Sequence, residues 1–222
     1  MMLVVHHLEN SRSQRVLWLL EELGLPYEIK RYERDAKTKL APASLKAVHP
    51  LGKSPVITDG EHVVAETGAI VDYVITRKAD GRLMPARDTN EHLRYVYWSH
   101  FAEGSLMPPL LARLLFGTAA EKSPFFVRPI LKGVSKAVNK AYLGPTIEAA
   151  LDLIEAELAR GDFMAGNELT GADIMLSFPL EAAGSRGGLG DRPRIKAWLA
   201  RIHARPAYTR ALEKGGPYAY AT

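Results

Sequence analysis

The first 80 residues alternate between short apolar runs and segments whose apolar side chains recur at helical spacing. Residues 2–6 are mostly apolar, include two adjacent valines and predict a buried strand. The segment from residue 13 to Gly24 predicts a helix, because glycine commonly follows the last helical turn. Its helically spaced apolar positions are Val16, Leu19, Leu20 and Leu23. The pattern therefore predicts a strand and a helix in succession.

The remainder of this half predicts three more strands. They are expected at 27–32, 56–58 and 62–65, with a helix at 67–75 and at most a short helix in the polar, proline-punctuated stretch 37–50. Asp59-Gly60, between the last two strands, is a strong signal for a hairpin turn. The order βαβαββα predicts a mixed four-stranded sheet, with a parallel pair at the start and an antiparallel hairpin at the end.

Strand patterns disappear after residue 80, and an all-helical second domain is expected. Asp80-Gly81 and Pro85 predict a linker at 81–87 between domains at 1–80 and 88–222. Helical periodicity covers 91–115, 144–160, 170–178 and 194–212. Glycine and proline interrupt 110–140, which favours a split helix there. Thr170 with Asp173 predicts a capping box, read as folding architecture.

Composition narrows the class of protein. The chain is 47% hydrophobic and 24% charged, as in an ordinary globular protein. It has no apolar run long enough to span a bilayer, and its opening residues do not form a signal peptide. A cytoplasmic protein without a membrane partner is therefore expected. It has no cysteine, so any thiol chemistry depends on a sulfur that the ligand brings. The net charge of +4 comes from scattered basic residues, which suits a small anionic ligand better than nucleic acid.

Pro55 stands directly before a predicted strand in the segment HPLGKSPVITDGEHVVAETGAI, residues 49–70. Proline has no N–H, so it belongs at an edge or at a strand's first residue, and a strand-start proline is one reading. The other reading is a cis Ser54-Pro55 bond that turns the backbone of Val56 toward a peptide-like ligand. These residues alone leave both readings open.

Three motifs resemble the cytosolic glutathione transferase family, and within it the bacterial, serine-type, theta-like members. They are HPLGKSPVI, AETGAI and ENSRSQR, in the family's order and spacing, and the likeness runs over nearly the whole chain. The resemblance implies an α/β, thioredoxin-like domain (βαβαββα) followed by an all-α domain. It also implies glutathione as co-substrate, a small hydrophobic electrophile as second substrate, no metal, and a two-fold homodimer.

The resemblance assigns the peptide-binding residues. Pro55, with Ser54 before it, matches the family's cis-proline, and Val56 would pair through its backbone with the cysteinyl part of glutathione. Lys53 and Lys39 are candidate cations for the glycyl carboxylate. The other candidates are Asn10 as a second donor to the sulfur, and Glu103, of the same or the other subunit, for the γ-glutamyl ammonium.

The dipeptide Glu66-Thr67 lies between the last strand and a helix. Thr67 is expected to cap that helix, whose free N–H groups suit the γ-glutamyl carboxylate. Glu66 would accept from the γ-glutamyl ammonium. From this dipeptide alone a simple helix cap is favoured, and the neighbouring Pro55 motif reverses that preference.

Ser11 has two readings. With Gln14 three residues on, it satisfies the capping pattern S-x-x-Q at the start of the first helix. Alternatively its hydroxyl donates to the glutathione sulfur and lowers the pKa of the thiol, as expected for the catalytic serine. Arg15 matches the arginine that follows that serine in the family, which selects Ser11 over Ser13. His6 and His7, at the end of the first predicted strand, are expected to be structural or to form pocket wall.

The predicted function is a glutathione transferase that activates the thiolate for attack on electrophiles or hydroperoxides. Two alternatives remain, a glutathione-dependent disulfide reductase and a non-catalytic ligand-binding protein on the same fold. The survival of Ser11, Lys53, Pro55, Glu66 and Thr67 favours the enzyme.

Overall fold

A four-stranded mixed sheet forms the first part of the chain. The computed structural model describes residues 2–35, 37–38 and 40–221, so the candidate Lys39 lies outside the described residues. The strands are Leu3–Leu8 (β1), Tyr27–Tyr32 (β2), Val56–Asp59 (β3) and His62–Ala65 (β4), in the order β2-β1-β3-β4. β1 is parallel to β2 and antiparallel to β3, and β3 is antiparallel to β4. The predicted sheet is confirmed.

Three helices accompany the sheet and seven follow it. The first three are Ser13–Leu23 (α1), Ala43–Lys46 (α2) and Thr67–Lys78 (α3). The others are Asn90–Phe101 (α4), Met107–Lys122 (α5), Arg128–Val138 (α6), Gly144–Glu157 (α7), Gly171–Gly184 (α8), Pro193–His203 (α9) and Pro206–Gly215 (α10). π-helical turns at Ala102–Leu106 and Asn139–Leu143 join α4 to α5 and α6 to α7. The predicted fold class, a thioredoxin-like sheet unit followed by a helical domain, is confirmed.

α1 is the element that the two parts of the molecule share. It packs on the sheet and on α3, and also against α8 and α10 of the helical part. Leu17, Trp18 and Leu19 on successive faces of the helix are therefore all fully buried. Gly24 adopts φ 64°, a left-handed conformation that glycine accepts readily, and ends α1 as predicted. Side chains at the start of α1 consequently lie where the two parts meet.

Several predicted boundaries are wrong. β1 extends to Leu8, so His6 and His7 lie within the strand rather than at its end. The helix predicted over 194–212 is two helices, because Pro206 disfavours helical backbone at Arg205, which adopts φ −72° and ψ 130°. The helix predicted over 170–178 continues through Pro179 to Gly184.

The predicted split within 110–140 is confirmed by the break between Lys122 and Arg128.

The predicted capping box starts α8. The Asp173 carboxylate accepts hydrogen bonds from the backbone N–H and the hydroxyl of Thr170, both at 2.9 Å. It also accepts from the Met164 N–H and from the indole N–H of Trp198, each at 3.0 Å. Because Asp173 is fully buried, these four donors replace its hydration and fix α8 against α9.

None of the helices in the described residues has the length and apolar composition needed to cross a membrane.

Candidate active site

Three loops come together at one end of the sheet. Val56 at the start of β3 pairs with Ala65 at the end of β4 and with His6 of β1. Because both pairings are antiparallel, the start of β3 lies beside the end of β1 and the end of β4. Pro55 before β3, Glu66 after β4 and the loop after β1 are therefore neighbours. The Ser54 hydroxyl donates to the His6 carbonyl at 3.0 Å and accepts from the Leu8 N–H at 3.3 Å. Residues 9–12, 53–55 and 66–67 therefore border one site.

Ser11 ends a chain of buried hydrogen bonds. Its Oγ lies 2.8 Å from Oγ of Ser13, and Oγ of Ser13 lies 2.9 Å from Nδ1 of His7. Ser11 Oγ is also 3.4 Å from Oγ of Ser54. All three members of the chain are buried. The Ser11 hydroxyl is therefore held in place by a hydrogen-bond chain through Ser13 to His7.

His7 is a neutral imidazole at neutral pH. Burial, with a smaller contribution from the Arg31 cation, lowers its pKa from 6.5 to about 4, and a hydrogen bond to the backbone of Gly215 opposes that shift. A neutral ring has one donor and one acceptor nitrogen, so it can fix the direction of the Ser13 hydroxyl. His7 thus acts on Ser11 through Ser13 without adding a charge. The sequence had offered Ser13 only as the alternative to Ser11, and His7 only as a structural or pocket-wall residue.

The capping box predicted for Ser11 and Gln14 does not form, although the Ser11 hydroxyl still accepts from a backbone N–H of the first helical turn. α1 begins at Ser13, its N-cap is Arg12, and the Ser11 hydroxyl accepts from the Ser13 N–H at 3.2 Å. The amide of Gln14, expected to close a capping box, is buried without a hydrogen-bond partner. The Ser11 hydroxyl thus binds a backbone N–H at the start of α1 and also lies beside Ser54 at the site.

A proline inside α8 supplies an acceptor for Arg15. Pro179 has no N–H, so the carbonyl of Met175, four residues earlier, has no helical donor. The buried Arg15 guanidinium donates to that carbonyl, and also to the Glu103 carboxylate and to Oγ1 of Thr67, the last at 3.1 Å. Arg15 thereby links α1 to α3, to α8 and to the turn that follows α4.

Glu103 is bound by two arginines. In addition to Arg15, Nε of Arg12 donates to both carboxylate oxygens, at 3.0 and 3.2 Å. Burial alone would raise the pKa of Glu103, but the two guanidinium groups outweigh it and the pKa is lowered. Both guanidinium groups also lie over the ring of Phe178, at 5.3 and 5.7 Å from its centre. The suggested contact of Glu103 with a glutathione ammonium stays a prediction.

Thr67 does not cap α3, contrary to expectation. The N-cap is Glu66, without a side-chain cap, and the buried Thr67 hydroxyl instead accepts from Arg15. Glu66 adopts φ 67° and ψ 126°, a conformation that is costly for any residue but glycine. Its side chain is exposed and forms no ion pair with any described residue. Backbone strain of this kind is concentrated at ligand sites, where the surrounding structure maintains it.

The loop before β3 has the predicted backbone. The Ser54-Pro55 peptide bond is cis, as the resemblance implied, and Pro55 also stands immediately before the strand. Lys53 is exposed, and within the described part of the chain no carboxylate pairs with it. The site therefore presents an anionic side chain, Glu66, and a cationic one, Lys53, both free to meet a ligand.

The C-terminal segment crosses the site, which sequence reasoning missed. The N–H of Ala219 donates to Oδ1 of Asn10 at 2.8 Å, which fixes the candidate donor Asn10 at φ 47°. The Tyr220 ring packs against Phe178 at 5.4 Å, and the Tyr218 hydroxyl donates to the buried carboxylate of Glu181 at 2.5 Å. Tyr218 and Tyr220, which follow the last helix, were the sequence signal from which a packing contact of this segment could have been inferred.

The residues that the structure describes contain no group of three or more histidine, aspartate and glutamate side chains that could hold a metal ion.

Two family models match the chain. Residues 2–76 match the glutathione S-transferase N-terminal domain, and residues 143–201 match the glutathione S-transferase C-terminal domain. Together these ranges cover more than half of the protein and include the predicted peptide-binding motifs.

Individual relatives agree with the models. The chain is 37% identical to glutathione S-transferase 3 of Schizosaccharomyces pombe, over 96% of this chain and 88% of the relative. It is 33% identical to glutathione S-transferase 1 of Saccharomyces cerevisiae, over 95% and 94%. A crystal structure of a glutathione S-transferase from Actinobacillus pleuropneumoniae matches with a TM-score of 0.81 at 34% identity, covering 99% of this chain and 95% of that one. These matches confirm the predicted transferase function, and the chain belongs to the glutathione S-transferase family.

Proposed function

We propose that the protein is a serine-type glutathione transferase in which Ser11 donates a hydrogen bond to the glutathione sulfur. The observation that supports this proposal is the position of the Ser11 hydroxyl. It lies at the end of a buried hydroxyl chain, beside Ser54 and at the start of α1. The bacterial, theta-like subtype and the cytoplasmic location stay predictions.

The peptide would lie between the three loops, with its charges matched at both ends. Glu66 accepts from the γ-glutamyl ammonium, and the N-terminus of α3 at Thr67 faces the γ-glutamyl carboxylate. Lys53 would face the glycyl carboxylate, and Lys39, outside the described residues, stays a second candidate for that contact. The backbone of Val56, after the cis Ser54-Pro55 bond, pairs with the cysteinyl part. This pose places the thiol toward Ser11, with Asn10 beside it.

Thiolate formation is the step that the site favours. A free thiol has a pKa of about 8.5, and a helix N-terminus with a hydroxyl donor lowers it toward neutrality. On ionisation the thiol proton leaves to water, and the Ser11 hydroxyl turns its hydrogen to the sulfur. The thiolate then forms a C–S bond while the leaving group departs with the electron pair. With a hydroperoxide it attacks oxygen, an alcohol leaves, and a second glutathione completes the disulfide and releases water.

Two copies of the chain are proposed to form a two-fold homodimer. Large apolar side chains are exposed on two elements, Val63 on β4 and Leu93, Val96 and Tyr97 on α4. A surface of this kind is typical of association sites, and closed pairs are the commonest soluble oligomers. Glu103 is held by Arg12 and Arg15 of its own chain, so its contact with a glutathione of the other subunit stays a prediction.

Glutathione binding tests the first part of the proposal. Millimolar glutathione should raise the melting temperature, because the ligand binds only the folded state. Glu66→Gln removes one charge-assisted contact and should weaken binding about tenfold. Glu61→Gln, at an exposed position in the hairpin turn, should bind like the parent. Unchanged melting at millimolar glutathione would refute the proposed site.

Turnover tests the second part. The parent should consume glutathione with an aryl halide or an organic hydroperoxide. Activity confined to a small mixed disulfide would identify a disulfide reductase, and binding without any turnover would identify a non-catalytic ligand-binding protein.

A further inference from the structure

The loop between α5 and α6 carries two exposed aromatic side chains. The two helices pack against each other, and residues 123–127, the tip loop, join their ends. Phe125 and Phe126 in this loop are 83% and 68% exposed, and their rings meet edge to face with 5.5 Å between centres. Phenylalanine is usually buried, because it removes a large apolar area from water. Two adjacent exposed rings therefore favour an association site.

α6 continues this apolar surface. Each of its eleven residues is at least partly exposed. The half-buried ones, Leu131, Ser135 and Val138, recur at helical spacing and face α5. Ile130 and Val134, four residues apart, lie on a different face and are 67% and 45% exposed. The packing of α6 on α5 thus leaves a second apolar face of the helix uncovered.

Basic residues flank the exposed apolar side chains. From Lys122 to Ile147 the sequence has five basic residues and no aspartate or glutamate. The five are Lys122, Arg128, Lys132, Lys136 and Lys140. All are exposed, and none forms an ion pair with a described residue. An apolar face bordered by free cations favours a partner that is both apolar and anionic.

Two of the lysines line a cleft of about 390 Å³ between α5 and α6. Lys132 and Lys136 are joined there by Arg113, and Glu121 is the one carboxylate at the cleft. Oδ1 of Asn139 lines the same cleft and is buried without a hydrogen-bond partner in the described residues. Three cations and a free acceptor suit a phospholipid headgroup, whose phosphate accepts from the cations and whose ammonium, in phosphatidylserine, donates to Oδ1.

We propose that the tip loop and α6 dock on an anionic membrane surface, with Phe125, Phe126, Ile130 and Val134 between the headgroups and the acyl chains. Amphipathic helices rich in lysine and arginine lie in this interface, and their binding increases with buried apolar area and with attraction to anionic lipid. Lysine side chains extend so that their ammonium groups reach the headgroups. Docking of this kind adds a membrane partner that the composition of the chain did not predict.

A second copy of the chain is the other occupant that an exposed apolar face could have. In a two-fold pair the same surface patch meets itself. A pair formed through α6 would bring the five cations of one copy against the same five of the other, and like charges facing each other oppose association. An anionic lipid surface instead accommodates the apolar and the basic side chains together.

Cosedimentation of the full chain with lipid vesicles tests the proposal. It is measured without glutathione or a second substrate, so its result is independent of the proposed function. The parent should bind vesicles of phosphatidylcholine with about 30% phosphatidylserine tighter than vesicles of phosphatidylcholine alone, by about tenfold or more. Added salt should reduce this difference, because it screens the attraction between lysines and headgroups.

Variants separate the apolar contribution from the electrostatic one. Phe125→Ser and Phe126→Ser should each weaken binding to the anionic vesicles about tenfold, because each removes an aromatic side chain from the membrane interface. Lys132→Gln and Lys136→Gln should each weaken it about fivefold. All four positions are exposed or at the protein surface, so the variants should melt like the parent.

Two matched controls lie elsewhere on the molecule. Leu153→Ser removes an apolar side chain that is 44% exposed on α7, and Arg87→Gln removes an exposed charge before α4, so both should bind vesicles like the parent. Equal binding of the parent to both kinds of vesicle, or parental binding by the Phe125 and Phe126 variants, would overturn the inference. If those variants keep vesicle binding but sediment with a lower mass than the parent, the occupant of this face is a second copy of the chain.

Discussion

At the scale of single residues, the proposed role of the Ser11 hydroxyl depends on the buried side chains of Ser13 and His7, which hold it by hydrogen bonds. Ser11 could be predicted from its motif, because it precedes a helix and stands four residues before Arg15. The hydrogen bonds that join it to Ser13 and His7 could not, because they depend on the end of β1, which extends two residues beyond the apolar run that predicted it. A hydrogen-bond chain between residues six positions apart has no periodic signature.

His7 makes folding stability depend on pH. In the unfolded chain it titrates at its ordinary pKa of 6.5, whereas in the folded protein burial lowers that pKa to about 4. The unfolded state therefore binds more protons between these values, so this contribution is complete above pH 6.5 and is lost as the pH falls toward 4. The loss should reach about 3 kcal/mol.

Denaturant unfolding at a series of pH values measures this loss. His7→Asn keeps a polar group for Ser13 but cannot titrate, so the stability of this variant should fall less steeply than that of the parent between pH 6.5 and 4. His62→Asn, at an exposed histidine, should follow the parent. Parallel curves for the parent and His7→Asn would show that the histidine is not buried as described.

At the scale of elements, proline explains both the main errors and one functional contact. Pro206 divides a helix that apolar periodicity predicted as continuous, and Pro179 remains inside α8 where a helix end was expected. Local sequence preferences do not decide between these outcomes. Packing does, because α8 is buried along most of its length and Arg15 occupies the carbonyl that Pro179 leaves free.

Replacement of Pro179 should reveal its coupling to Arg15. Arg15→Met removes a buried charge and should destabilise the parent by about 3–5 kcal/mol. In a Pro179→Ala background the new N–H satisfies Met175, so the same change should cost about 1 kcal/mol less. Unfolding free energies of the four proteins give this coupling. As a control, the free-energy changes of Ala183→Gly and Arg15→Met should be additive in the double variant. If the changes of Pro179→Ala and Arg15→Met are additive as well, the account is contradicted.

At the scale of the whole molecule, the two parts are fastened together by the residues that form the site. Arg15 links the sheet unit to the helical part, and the C-terminal segment returns from α10 to Asn10. The order of elements and the mixed sheet followed from periodicity and turn chemistry. The return of the C-terminal segment did not, because a short aromatic stretch after a helix has many possible contacts. The domain boundary at 81–87 stays a prediction.

The exposed apolar surface on α4 should hold two copies together. Sedimentation of the parent at micromolar concentration should show twice the 24.5 kDa mass of one chain. Leu93→Lys buries a charge in the proposed interface and should shift the protein to monomer. Met2→Lys adds the same charge at an exposed apolar residue before β1, which β3 separates from β4, and should leave the dimer intact. A parent that sediments only as the single chain would refute the homodimer.

The most direct test of the central claim is the pKa of glutathione bound to variants of Ser11, followed by the ultraviolet absorbance of the thiolate. Ser11→Ala should raise that pKa by about one unit, equivalent to about 1.4 kcal/mol, and lower turnover at neutral pH in proportion. Ser11→Thr should restore most of the effect, and Ser13→Ala, which keeps the Ser11 hydroxyl, should shift the pKa less than Ser11→Ala does. A Ser11→Ala variant whose bound glutathione titrates like that of the parent would contradict the account and leave Asn10 or Ser13 as the donor.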